Sequence, residues 1–267
     1  MAWLNTPVRV AAELAPAVWT FAAAERRRGL APRLVGARAI AATGAALVDD
    51  VRAFRRAAKL PMDVRVILWP HEGDAGVGPI ESRDAATVEV PKARVIRDRV
   101  APLVRAGGLV AEVLLPHECL PRVAAMRDLS SACVIVAHAG LTCIGVVNGT
   151  AVQARYLRSA PPAASFASES ARLLARYQHV ALLAPHVRDM GGAAAGMRVL
   201  VAGSLPGLRG AMVPLVEELD HEIDVLDADL PSAAPSAADL PGVVDALDAD
   251  EVAGLQLAWA LAATPDA

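Results

Sequence analysis

The sequence predicts an α/β fold in which two similar lobes flank a cleft. Three observations carry that reading. A unit of three strand-like runs followed by helix, strand, helix and strand occurs twice along the 267 residues. Strands that follow one another directly pair antiparallel, whereas strands separated by helices pair in parallel and need helices on both sheet faces. Hydrophobic residues make up 55% of the chain but aromatics only 3%, so the core is built from Ala, Val and Leu. The repeat divides the chain into 1–128 and 129–267, each a suitable size for a domain.

The first repeat opens with runs at Val8–Leu14, Val18–Ala24 and Arg33–Ala39, the first two joined by a turn at Ala15-Pro16. Ala45–Lys59 has helical spacing, with Leu47, Val51, Phe54 and Ala58 on one face, and Pro61 ends it. Val64–Trp69 is a short buried strand, and a Gly-, Asp- and Pro-rich loop follows from Pro70 to Arg83. Thr87–Val90 is a further strand candidate. Ala93–Arg105 is an amphipathic helix facing inward with Val95, Ile96, Val100, Leu103 and Val104, and Gly107-Gly108 stops it. Leu109–Leu115 is a strand and His117–Met126 a helix.

The second repeat begins with strands at Cys133–Ala137, Thr142–Val147 and Ala151–Leu157. Its first hairpin lies within Leu129–Ala154, the longest stretch without a formal charge and long enough to span a bilayer. Asn148-Gly149 is a hairpin turn signal inside it, so a pair of buried strands is the better reading. Phe166–Tyr177 is a helix after Pro161-Pro162, Arg198–Val201 a strand, Leu208–Leu219 a helix and Ile223–Leu226 a strand. Residues 228–248, rich in Pro, Ala, Ser and Asp, read as a linker. Val252–Ala263 is a last helix with Leu255, Trp259 and Ala262 on one side.

Charge is unevenly distributed. Up to Arg209 there are 26 basic and 16 acidic residues; after it come thirteen Asp and Glu and no Lys or Arg. The basic residues look scattered, and only Arg26-Arg27-Arg28 form a run, so mutual neutralisation in the fold is the favoured explanation. A negative total charge, few aromatics and no basic stripe argue against nucleic-acid binding. Cys119, Cys133 and Cys143 lack CxxC spacing and read as buried hydrophobes in a reducing compartment. No secretory signal stands out at the N-terminus, since Arg9 and Glu13 interrupt its apolar run.

The common catalytic signatures are missing. Neither Lys59 nor Lys92 follows a glycine, so there is no Walker-type phosphate loop. His71-Glu72, His117-Glu118 and His221-Glu222 each lack the second histidine of H-E-x-x-H. Ser204 lies in AGSLPG rather than G-x-S-x-G.

Cys133–Leu157 resembles the second phosphate-binding hairpin of the actin-like ATPase superfamily, in which a strand ends in Asp-x-Gly and returns as a second strand. Arg198–Leu226 resembles the superfamily's adenosine motif, with Gly203 in the turn. The N-terminal VRVAAELAPAVWTFAAAERR resembles the first phosphate hairpin. Val8–Ala24, Ala45–Lys59, Val64–Pro70, Val95–Leu115 and Gly254–Leu261 follow the order found in the PilM family of type IV pilus assembly proteins, with FtsA a more distant likeness. In this RNase H-like, actin-like frame the region between Pro70 and Val95 is short, which implies a reduced inserted subdomain in the first lobe and a changed groove for the PilN peptide. The second lobe then carries the acidic C-terminal segment.

The resemblance also implies a nucleotide site, and this sequence departs from it. Glu13 keeps a carboxylate in the first hairpin, but the glycine that should follow is Ala15. The second hairpin has Ala137-His138-Ala139-Gly140, with no carboxylate. An imidazole at His138 does not balance a magnesium ion's charge. Thr142 remains able to contact phosphate, and Gly203 and Ser204 to admit an adenine ring. These residues are the degenerate nucleotide-binding candidates; no catalytic or metal-ligating residue is assigned. The cofactor expectation is therefore none, or weakly bound ATP and magnesium.

The functional expectation is a pseudo-ATPase scaffold, cytoplasmic and held at the inner membrane through its partners, in a type IV pilus or related type II secretion assembly complex. Its partner would be the short cytoplasmic peptide of a PilN-like protein, with homo-oligomerisation open. The alternative is an active Mg-ATP-dependent ATPase or small-molecule kinase of the same fold, with Glu13 as metal carboxylate or base.

Overall fold

Val8–Leu14 (β1) and Val18–Glu25 (β2) form an antiparallel hairpin in the computed structural model, and Arg33–Ala41 (β3) adds to its outer side. The structure describes residues 8–26, 32–42, 44, 46–70, 83–84, 93–138, 140–158, 168–203, 208–226 and 249–264. The remaining elements are Leu47–Ala57 (α1), Asp63–Leu68 (β4), Arg83–Asp84 (β5), Ala93–Arg105 (α2), Leu109–Leu114 (β6) and Pro116–Ala125 (α3). There follow Ser131–His138 (β7), Leu141–Asn148 (β8), Ala151–Arg158 (β9), Glu169–Asp189 (α4), Arg198–Gly203 (β10), Leu208–Leu219 (α5), Ile223–Val225 (β11) and Ala249–Ala263 (α6). The candidate strand Thr87–Val90, the proline pair at 161–162 and the linker 228–248 lie outside the described residues.

Two sheets embody the repeat. One has the order β3-β2-β1-β4-β6 and the other β11-β10-β7-β8-β9-β5. β1 runs parallel to β4, and β4 to β6; β7 runs parallel to β10, and β10 to β11. Apart from the two-residue β5 on the outer edge of β9, the second sheet repeats the strand order of the first.

The chain divides into two compact units: residues 1–75, 91–119 and 228–267, and residues 76–90 and 120–227. This differs from a single cut after residue 128. The helix that closes each repeat belongs largely to the other unit: most of α3 falls in the second, and α6 returns to the first.

In the first unit, alternate side chains of β1 and β2 face opposite ways. Val10, Ala12, Leu14, Trp19, Phe21 and Ala23 join a core with Val51 and Phe54 of α1 and Val100 and Leu103 of α2. Phe21 and Phe54 contribute a tilted aromatic pair, their ring centroids 5.7 Å apart. The other sheet face bears Ala11, Glu13, Thr20, Ala22 and Ala24, and α6 packs across it. Small residues on both surfaces allow that close approach. Helix α6 was expected to bury one side; Leu255, Leu257, Ala258, Trp259, Ala260, Leu261 and Ala262 are all buried. On α2, Val104 points outward at 51% exposure rather than inward.

In the second unit, Cys133, Ile135, Ala137, Ile144 and Val146 pack with Val180, Leu183, Ala184 and Val187 of α4 and Leu215 and Leu219 of α5. Helix α4 runs twelve residues beyond its expected end at Tyr177. Leu120 of α3 lies against Gly145 on the opposite face, where a Cβ would overlap its methyl group. The uncharged stretch 129–154 thus supplies two buried strands of the β7–β8–β9 meander. Among the described residues no helix is long and apolar enough to cross a membrane.

Candidate functional site

In a sheet of parallel strands joined by helices, ligands collect at the carboxyl ends of the strands. The sequence candidates map onto those ends, three groups in the two units. Glu13 is the penultimate residue of β1 and Ala15 follows the strand. His138 ends β7, Gly140 lies in the tight turn after it, and Thr142 is the second residue of β8. Gly203 ends β10. Ser204 lies outside the described residues.

Glu13 belongs to the sheet face covered by α6. It is wholly buried (0% exposed), and its Oε2 accepts a hydrogen bond from the Thr20 hydroxyl across the hairpin at 3.0 Å. Gly254 of α6 comes down on the same pair. A Cβ at residue 254 would lie 2.7 Å from Glu13 Oε2 and would overlap the Thr20 hydroxyl. A buried carboxylate needs polar partners, and here a cross-strand hydroxyl supplies one while a glycine makes room. Ala15, in the place where the resemblance implies a glycine, is buried as well.

His138 is the matching position in the second sheet. It pairs with Leu141 and lies on the face opposite the α4–α5 core, as Glu13 lies opposite the α1–α2 core. It is 2% exposed. Thr142 pairs with Ala137, so it shares Ala137's face and points away from His138's. His138 and Thr142 therefore lie within two rungs of the same ladder but on opposite sides of the sheet. Gly140 adopts φ +79° with open space around it.

Gly203 registers with Ala137 across the β7–β10 ladder. Its φ is +101°, and a Cβ would overlap the Ala137 carbonyl oxygen and lie 2.8 Å from its carbon. The glycine is required for strand end to meet strand end, whatever binds there.

One residue absent from the sequence reading stands at the same end of the first sheet. Arg99 reaches from α2 and donates to the Trp69 carbonyl at 2.6 Å and the Leu14 carbonyl at 3.1 Å. It ties the ends of β1 and β4, whose last ladder pair is Leu14 with Leu68. Its place midway along an amphipathic helix, beside the buried Val100, is the only signal in the sequence, and that does not say where the guanidinium goes.

The remaining candidates for chemistry are quiet. Cys119, Cys133 and Cys143 form no disulfide and are buried, and burial pushes the thiols of Cys133 and Cys143 up to about 12, so neither is a nucleophile at neutral pH. Among the described residues no three His, Cys, Asp or Glu side chains come together as a metal site. The chemistry of the donor set fits magnesium poorly: the first sheet offers one sealed carboxylate, the second an imidazole.

No family model and no curated protein matches the sequence. Solved structures do match the fold. The PilM–PilN type IV pilus biogenesis complex aligns over 98% of this chain and 100% of the matched chain, at 12% identity and a TM-score of 0.65. The ethanolamine utilization protein EutJ from Carboxydothermus hydrogenoformans aligns over 97% of this chain and 91% of its own, at 12% identity and TM-score 0.57. The activator of 2-hydroxyisocaproyl-CoA dehydratase from Clostridium difficile, solved with bound ADPNP, aligns over 96% and 94%, at 9% identity and TM-score 0.52. With its two repeated sheets and this full-length agreement, the chain has the actin-like ATPase fold.

Proposed function

We propose that the chain is a catalytically degenerate actin-like scaffold of a type IV pilus, or related type II secretion, inner-membrane assembly complex. It works by binding other proteins and not by turning over nucleotide. The observation that carries this is the pair of equivalent strand ends: a carboxylate sealed under α6 at Glu13, and an imidazole at His138. Two accessible carboxylates holding a hydrated magnesium are what this fold's chemistry needs. The alignment with a chain of the PilM–PilN complex over 98% of this chain and 100% of that one supports the pilus context. In this reading the protein is cytoplasmic, and a PilN-like partner holds it at the inner membrane through a short peptide. Nucleotide binding is weak or lost at Ala15, His138, Gly140, Thr142, Gly203 and Ser204.

The ADPNP-bound neighbour supports a second reading, an active ATPase or kinase. A thermal melt of the whole protein against Mg-ATP separates the two. Ligand at about 100 times its Kd stabilises a fold by roughly 2.7 kcal/mol. The scaffold reading expects no magnesium-dependent shift at millimolar ATP and capture of a pilus or secretion assembly protein from the source cells. Saturable turnover that Glu13→Gln abolishes overturns it.

A further inference from the structure

At the amino-terminal ends of β4 and β6, the opposite end of the sheet from Glu13, the first unit has a cavity of about 540 Å³. Arg52, Arg55, Arg56, Lys59 and Arg105 line it, with Leu60, Ala106 and Gly107, and among the described residues no acidic one does. We propose that this cavity binds a ligand bearing phosphoryl groups, a site separate from the nucleotide-binding candidates and independent of the scaffold reading.

The cations do not all have structural work. Helices α1 and α2 both end here, and helix carboxyl ends attract positive charge. Arg52 answers that need by donating to the Arg105 carbonyl at 3.2 Å, and it also pairs with Asp49 at 2.7 Å. Arg55 donates to the Ala106 carbonyl at 3.1 Å and the Pro61 carbonyl at 3.3 Å, and Gly107 leaves it room. Arg56, Lys59 and Arg105 remain. Among the described residues none of their side chains has an ion pair or hydrogen bond. Lys59 even holds φ +51°, a position where glycine or asparagine is the usual choice.

Three uncommitted cations around one concavity repel one another, and a multiply charged anion removes that repulsion. A monoanionic carboxylate leaves two of them unanswered. A phosphoryl dianion or polyphosphate matches both the charge and the planar guanidinium donors. The volume admits such a group together with water. The same chemistry comes from a free polyphosphate or from the headgroups of an anionic membrane, and the probes are chosen to separate those sources.

The test uses the whole protein and the triple variant Arg56→Gln, Lys59→Gln, Arg105→Gln, which spares the carbonyl-capping Arg52 and Arg55. Binding of inorganic tripolyphosphate is measured by calorimetry, and co-flotation with vesicles of phosphatidylglycerol in phosphatidylcholine by density-gradient centrifugation. The expected result is binding of at least one probe, weakened by salt and roughly tenfold weaker for each cation removed. Tripolyphosphate binding lost in the variant supports a free phosphate ligand. Flotation alone, lost in the variant, supports the headgroup. Binding of neither probe by the wild type, or equal binding by the variant, overturns the proposal. Because ATP itself carries a triphosphate, the Mg-ATP melt is repeated on the triple variant, where a shift that survives reports on the other end of the sheet separately.

Discussion

Acidification should unfold this protein partly through one side chain, His179. It lies in α4 beside the core residue Val180, is 5% exposed, and its Nε2 has no hydrogen-bond partner among the described residues. Burial alone lowers its pKa from 6.5 to about 4. Between those values the unfolded chain binds a proton that the folded chain refuses, so stability rises with pH across the window and is lost as pH falls. At about pH 5 the difference amounts to about 2 kcal/mol, and near pH 4 it approaches about 3 kcal/mol. His117, also lowered by burial, acts in the same direction, and His221, whose pKa is raised chiefly by a hydrogen bond to the Ala194 carbonyl, acts in the opposite one. The comparison that isolates His179 is therefore with His179→Leu. Urea unfolding of both proteins at about pH 7.5 and about pH 5 should show a steeper acid loss in the wild type, by about 2 kcal/mol. Equal losses in the two proteins would mean that His179 is solvated or hydrogen-bonded in the native state, and the reasoning from burial fails.

Three further outcomes follow from the strand ends. Gly203→Ala meets both a left-handed φ and the Ala137 carbonyl, so it should destabilise by about 2–4 kcal/mol in urea titration, whereas Gly140→Ala, with the same sign of φ but open space, should lose only about 1 kcal/mol. Similar losses at the two sites would refute the close approach of β10 to β7. Gly254→Ala pushes a methyl group into Glu13 and Thr20 and should lower stability by about 1–3 kcal/mol; a thermal melt showing no change would mean that α6 does not seat on that pair. Arg99→Met leaves the Leu14 and Trp69 carbonyls without that donor and should cost about 1–3 kcal/mol, read from the same titration, with faster amide exchange at the ends of β1 and β4.

The strands were legible because their sequences are continuous apolar runs bounded by turns: Val8–Leu14 and the helix Ala93–Arg105 have the bounds expected of them. The end of α4 was not. Val180, Leu183, Ala184 and Val187 have helical spacing, but Pro185 reads as a breaker and the exposed Leu173, Leu174, Tyr177 and Leu182 blur the apolar stripe. The one-sided reading of α6 failed for the opposite reason, since a helix buried all round carries no periodic signal. Glu13 and His138 were recognised as equivalents because the duplication is local in sequence. Their burial was not, because it depends on long-range packing, which for Glu13 means α6, more than two hundred residues away. The basic cavity escaped notice although Arg52, Arg55, Arg56 and Lys59 follow the i, i+3, i+4, i+7 pattern, because Arg105 joins them only through the tertiary fold.

The duplication allows a comparison inside one chain that bears on function. A residue kept from a nucleotide-binding motif argues for nucleotide only if the fold itself has no need of it. Gly203 has such a need, since β10 cannot approach β7 with a side chain there. Glu13 has one too: Thr20 bonds it and Gly254 closes over it, so its carboxylate is part of the packing between sheet and helix. Gly140 takes a left-handed turn that any tight hairpin favours. Glu13, Gly140 and Gly203 are thus each explained by the local structure, and their survival does not by itself argue for turnover. What differs between the two repeats at this position is an imidazole against a carboxylate. The weight of the functional question therefore falls on His138, where a single substitution to Asp would create the missing carboxylate, and on whether Mg-ATP stabilises that variant more than the wild type.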